Sequence, residues 1–297
     1  MKHRFILVAA ALLTAATAWS QLLWQVSGNG LEKPSYLFGT HHIAPEAFID
    51  SVRGLNDAIA ACDIICGEIH RDSLNGMESM QRMAVALIAP PDSALNRVLT
   101  PEQYDVVKRV FDGYFGQAGM QLEMLTPMMP IVESLQLQVL QATKFFQGYD
   151  PTKQIDGALQ SRGEALGKKL AGFETIDDQL NVLLSTSIAE QAQDLYEACL
   201  NEDELGADIV DLSKQYLAEN LDAMHEALVH PKSGEQPTER ELNTLIYDRN
   251  RNWVRQLVAL MPHSSVLVCV GAGHLPGDQG LIALLRAAGY TLTPISK

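Results

Sequence analysis

Val266-Leu-Val-Cys-Val-Gly-Ala-Gly-His274 is an apolar run that stops abruptly at Gly271, Ala272, Gly273 and His274. Mostly β-branched apolar residues followed by glycines read as a buried strand whose end lets the backbone approach something closely. His274 then stands at a strand tip. Tyr36-Leu37-Phe38 runs in the same way into Gly39, Thr40, His41 and His42, so two strand-then-Gly-x-x-His units lie about 230 residues apart. Two such tips can meet at one site.

Outward from these tips the chain reads as α/β. Leu22 to Ser27 and Ser35 to Phe38 are strands joined by Gly28-Asn29-Gly30 and a Lys33-Pro34 turn, a hairpin signature. A helix starting near Phe48 to Asp50 carries Ile49, Val52, Leu55 and Ile59 at helical spacing and leads to a buried strand from Asp63 to Ile69, with Glu68 near its end. Strand, helix, strand at this spacing is the unit of a parallel sheet, whose ligands collect at the carboxyl ends of the strands. Val266 to Val270, a helix from Gly280 to Ala288 and a strand from Tyr290 to Ile295 form a second such unit. The expected fold is one α/β domain over residues 21–297, two related β-α-β halves forming a central sheet, with a large helical insertion at about residues 75–260.

The insertion contains one more strand, Leu170 to Glu174, which again ends in a carboxylate. Helices are expected from about Thr152 to Lys168, from Gln179 to Leu195, from Ile209 to Leu228 and from Glu241 to Met261, with the acidic stretch Asn201 to Asp211 as a solvated connection. Met120, Met124, Leu125, Met128 and Met129 make a Met-rich surface, read as flexible core filler or as an adaptable groove for a peptide. In the Glu241–Met261 helix, Arg249 falls on the apolar stripe between Ile246 and Trp253. An arginine there must snorkel, pair with an acid or reach into a site. Asn250 stands beside it.

Composition narrows the partners. Of 297 residues 47% are hydrophobic and 20% charged, which is globular. Residues 1–20 stand apart: Lys2, His3 and Arg4 precede the apolar run Phe5 to Ala18, and Ala18 and Ser20 are small residues suited to cleavage before Gln21. This is the pattern of a secretory signal peptide, too short for a stable membrane span, and it predicts an exported protein, periplasmic or secreted. Without Lys2 and Arg4 the chain has 20 basic residues against 36 acidic ones, a formal charge of −16. Nucleic acid and anionic membrane surfaces are therefore disfavoured, while cationic peptides and metal ions are not. Cys62, Cys66, Cys199 and Cys269 match no zinc spacing; Cys66 and Cys269 read as small buried hydrophobes, and spacing alone leaves disulfide pairing open.

The residues gathered at strand tips are His42, Glu68, Glu174 and His274, with Arg249 arriving from a helix. Two imidazoles and a carboxylate can ligate a divalent transition metal and leave a position open for water, whose pKa the ion lowers to about 7. A second carboxylate can act as general base and an arginine can stabilise an oxyanion. His41, adjacent to His42, can compete with it for the inward direction.

These segments resemble the TraB/PrgY/GumN family, which includes the Tiki metalloproteases of animals. The matching stretches are Tyr36-Leu-Phe-Gly-Thr-His-His42, Asp63-Ile-Ile-Cys-Gly-Glu68, Ile155-Asp156-Gly157 through Gly172-Phe173-Glu174-Thr175, Asp248-Arg249-Asn250 and Val270-Gly-Ala-Gly-His-Leu-Pro-Gly277. The resemblance implies a site formed by the paired Gly-x-x-His motifs and a glutamate: His42 and His274 as metal ligands, Glu68 as a further metal ligand or as base, Arg249 and Asn250 nearby. The expectation is an exported hydrolase, a peptidase dependent on Mn, Co or Zn, acting on a peptide or small molecule. Arg249, Asn250, Glu174 and His41 would contact or position substrate. Two rivals stand beside it: a protein that sequesters a peptide or small ligand without turnover, and a metal-free hydrolase with a histidine base, as in the distantly similar erythromycin esterases.

Overall fold

The computed structural model describes residues 21–115, 121–232 and 236–296. The expected signal peptide and Met120 lie outside them. Six strands form one sheet: β1 (Leu23–Ser27), β2 (Ser35–Thr40), β3 (Ile64–Ile69), β4 (Lys169–Glu174), β5 (Val266–Gly271) and β6 (Thr291–Pro294), in the order β4-β3-β5-β2-β1-β6. The four strands β4, β3, β5 and β2 run parallel, whereas β1 pairs antiparallel with both β2 and β6. The β1–β2 hairpin turns through Gly28, Asn29 and Gly30, all with φ between 48° and 79°, a conformation that glycine and asparagine tolerate best.

The first crossover differs in detail from its expectation. Instead of one helix from Phe48, a 3₁₀ turn at Glu46–Ser51 is followed, after Gly54 at φ 78°, by a helix at Leu55–Ala61. Ile49, Val52, Leu55 and Ile59 are all buried beside the sheet nonetheless. The insertion also breaks more often than its apolar spacing suggests. Thr175 and Ser187 each cap a new helix with a reciprocal side-chain and backbone box, giving Ile176–Leu183 and Ile188–Leu200. Glu219, at φ 59°, and the Asn220 cap separate Glu202–Leu217 from Leu221–Val229. The acidic stretch is helical rather than a connection: Glu202, Asp203 and Glu204 occupy the first turn of that helix, where its dipole favours negative charge.

Two apolar clusters hold the molecule. One covers the sheet and takes in Trp24, Phe38, Ile65, Leu267, Tyr216 and Trp253; the other, with Leu95, Phe111, Phe115, Leu137 and Leu195, lies within the helical insertion. All four cysteines are buried and free, as small hydrophobes, and burial pushes the Cys62 and Cys66 thiols up to about 12. In the Met-rich stretch Met124 is 65% exposed, so it does not fill a core.

Candidate active site

Parallel pairing puts the carboxyl ends of β2, β3, β4 and β5 on one edge, with Thr40 opposite Gly271 and Ile69 opposite Glu174. The two Gly-x-x-His tips are therefore neighbours. Their contact depends on glycine: a Cβ on Gly39 would come within 3.0 Å of the Ala272 Cα. From β3, Glu68 reaches across to the β5 tip, where the Gly271 N–H donates to its Oε1 at 2.9 Å.

Arg249 ties the edge together. It follows a π-turn at Asn243–Tyr247 and lies in the Asp248–Leu260 helix. Its Nε and Nη2 donate to Glu174 at 2.7 and 2.9 Å, Nη2 also donates to Glu68 Oε2 at 2.5 Å, and Nη1 serves the Leu245 carbonyl at 3.0 Å and the His274 Nε2 at 3.2 Å. Every N–H of the guanidinium has a place in this set. Trp253 supports it twice, with its ring beneath the guanidinium at 4.8 Å and its Nε1–H donating to Glu174 at 3.0 Å. The apolar-face arginine is thus paired with two acids.

His274 is fixed as a neutral acceptor. Asn250, fully buried, donates through Nδ2 to the carbonyls of His274 and Gln279, which leaves its Oδ1 to accept from His274 Nδ1–H at 2.7 Å. The lone pair must then sit on Nε2, facing Arg249. Burial lowers the His274 pKa to about 3. Burial also pushes Glu68 upward, but opposing charges and the Gly271 N–H outweigh it and bring its pKa to about 2. Because His274 is neutral above pH 3, the Arg249 charge, the Gly271 N–H and the His42 charge are what keep Glu68 ionised near neutrality.

His42 rather than His41 faces this edge. Its Nδ1 pairs with Asp156 Oδ2 at 2.8 Å, and Asp156 Oδ1 accepts from Thr40 Oγ1 at 2.6 Å. The Asp156 bond raises the His42 pKa to about 9, although solvent around an imidazole that is 68% exposed screens the pair. His41 turns away, its ring tilted at 46° against Tyr216 and meeting Ser213 Oγ at 3.3 Å; that hydroxyl donates to the Ile209 carbonyl, so the ring donates to it. His42, Glu68 and Asp156 line a cavity of about 600 Å³ together with Glu46, Gln160 and Cys269. Glu174 and Arg249 border a second cavity of about 310 Å³.

Residue types alone do not mark Asp156, since an aspartate in the first turn of the Ile155–Ala165 helix has an ordinary place at a helix amino end. Only its position inside a family segment marks it. A divalent ion on His42, Glu68 and His274 needs their lone pairs turned to one point. Among the described residues no three His, Cys, Asp or Glu side chains converge in that way. Arg249 already spans Glu68, Glu174 and His274. As placed, these side chains do not fit a bound metal.

No solved structure matches this chain. A zebrafish (Danio rerio) protein named Metalloprotease TIKI2 is 26% identical over 164 residues, which is 47% of this chain and 32% of the relative. The chain thus spans about a third of that protein. The family model described as TraB/PrgY/gumN matches residues 22–294, and the chain belongs to that family.

Proposed function

We propose that this chain is an exported hydrolase of peptide bonds, working at the carboxyl edge of its sheet. The observation that carries the reading is that Glu68 and His42 line one cavity with their pKa values displaced in opposite directions, to about 2 and about 9. Groups held apart in this way divide base and acid duties. Glu68 is the ionised partner and takes a proton from water as the water oxygen bonds to the substrate carbonyl carbon. His42, protonated near neutral pH, gives its Nε2 proton to the amine as the C–N bond breaks. Asp156 holds the His42 ring through Nδ1, and Arg249, with all its donors committed, positions the two glutamates.

Family membership and the relative's name agree with a peptidase, and the run Lys2 to Ser20 with export. The test is a digest of a peptide library in excess chelator, repeated with added Mn²⁺, Co²⁺ or Zn²⁺. Cleavage in chelator that Glu68→Gln lowers by about 10²-fold or more supports this assignment. Cleavage seen only with added metal makes Glu68 and His42 ligands and overturns the acid and base roles. Binding of peptides without cleavage under every condition establishes a sequestering protein instead.

A further inference from the structure

The sheet-edge cavity continues past its own rim. Glu46 and Lys153, which line it, also line a neighbouring cleft of about 520 Å³ whose other walls include Asp50, Asp150 and Arg162. Each space alone falls in the range of ligand sites, roughly 300–1,000 Å³, and the shared walls make them one groove. Backbone pairing fixes the wall between them: Pro45 bridges Gln154 and so joins the Glu46–Ser51 turn to the start of the Ile155–Ala165 helix, which carries Asp156. Glu46 therefore stands on the side of the cavity occupied by His42 and Asp156.

The other charges of this groove are committed. Arg71 holds Glu164 at 2.6 Å and Ser161 at 3.0 Å, Arg162 holds Asp50 at 2.5 and 2.9 Å, and Lys153 lies 3.6 Å from Asp150, which also accepts from the Thr152 N–H and hydroxyl. Glu68 is held by Arg249, and Asp156 by His42 and Thr40. Glu46 differs. Half-buried, it makes no hydrogen bond or ion pair among the described residues, and Arg162 feels its charge only from beyond ion-pair distance. A carboxylate that faces a substrate cavity without a counter-charge leaves that charge to be supplied by what binds there.

We infer that Glu46 selects a basic side chain on the leaving side of the scissile bond, within the first two residues after the cut. The inference rests on the hydrolase reading above: His42 delivers its proton to the departing amine, so the residues that follow the cut lie on the His42 side, and their chain runs past Glu46 into the second cleft. The substrate class is a polypeptide that carries lysine or arginine just beyond the cleaved bond.

The test is a digest of a peptide library by the full chain, in the buffer in which it cleaves, with each cut located by mass spectrometry. Cuts with Lys or Arg at the first or second following position should outnumber those with Asp or Glu there by about fivefold or more, and added salt should shrink the ratio. Glu46→Gln should level this preference and Glu46→Lys should reverse it toward acidic residues, an exchange that a merely structural Glu46 does not produce. Neither change removes a bond that holds the fold, since Glu46 makes none. Cleavage without a charge preference after the cut, a basic preference confined to positions before it, or a preference that survives in both variants overturns the inference and leaves the hydrolase reading in place. Cleavage of no peptide overturns both.

Discussion

Replacing Arg249 by Met removes the guanidinium and keeps much of the stem that packs near Trp253. Arg249 is 15% exposed, Glu68 15% and Glu174 5% by side chain, so the ion pairs are largely withdrawn from water. Glu174 would retain the Trp253 and Gln179 donors at 3.0 and 3.3 Å, whereas Glu68 would keep only the Gly271 N–H. Breaking a buried pair from one side costs about 3–5 kcal/mol, a large share of the roughly 5–15 kcal/mol that holds a typical domain. The loss should depend on pH. In the wild type the Glu68 pKa is depressed to about 2 from 4.5, so its stabilising contribution is complete above 4.5 and vanishes as pH falls through 2. In Arg249→Met burial is opposed by the Gly271 N–H and the His42 charge but no longer by a guanidinium, the Glu68 pKa rises, and acid relieves the penalty. Urea denaturation at pH 7.5 and 4.5 should therefore show a gap about 1–2 kcal/mol smaller at the lower pH. A loss below about 1 kcal/mol at pH 7.5, or a gap that pH leaves unchanged, refutes the assignment of Arg249 as the counter-charge of Glu68.

Asn250→Leu strips the Nδ1 partner from His274 and the donor from two carbonyls, and should cost about 3 kcal/mol or more in the same denaturation assay. Acid should destabilise the wild type well above pH 4.5: His274, held neutral with a pKa near 3 against 6.5 unfolded, removes about 1.4 kcal/mol per pH unit between those values, and His41, near 4, acts in the same direction. His274→Gln should flatten the stability curve between pH 6 and 4 by about that slope, seen in urea midpoints at closely spaced pH values.

The sheet and the pairing of the two tips were legible because each rests on local signals. Apolar runs closed by glycine mark β2 and β5 in sequence, and the same glycines allow Gly39 to lie against Ala272. Arg249 was legible as an anomaly on an apolar face, and its resolution by Glu68 and Glu174 follows from all three acids and bases being tied to strand ends or the helix above them. Less could be read where long-range geometry decides. That His42 pairs with Asp156 depends on how the Ile155–Ala165 helix packs on the edge, and the choice between His41 and His42 depends on Tyr216 and Ser213, some 170 residues away. The helix breaks at Ser187 and Asn220 carry capping signals that apolar periodicity alone overrides. The metal geometry expected from residue types takes no account of a guanidinium, and Arg249 occupies the place between the ligands.

The most direct measurement is the pH dependence of kcat/KM for a cleaved peptide in the wild type and in Asp156→Asn. With His42 as the acid, activity falls on an alkaline limb near pH 9, because the Asp156 bond raises its pKa to about that value. Removing the aspartate charge should bring that limb down toward the ordinary 6.5 while leaving the acid limb of Glu68 in place. An alkaline limb at the same pH in both proteins would contradict the pairing of Glu68 and His42 as base and acid.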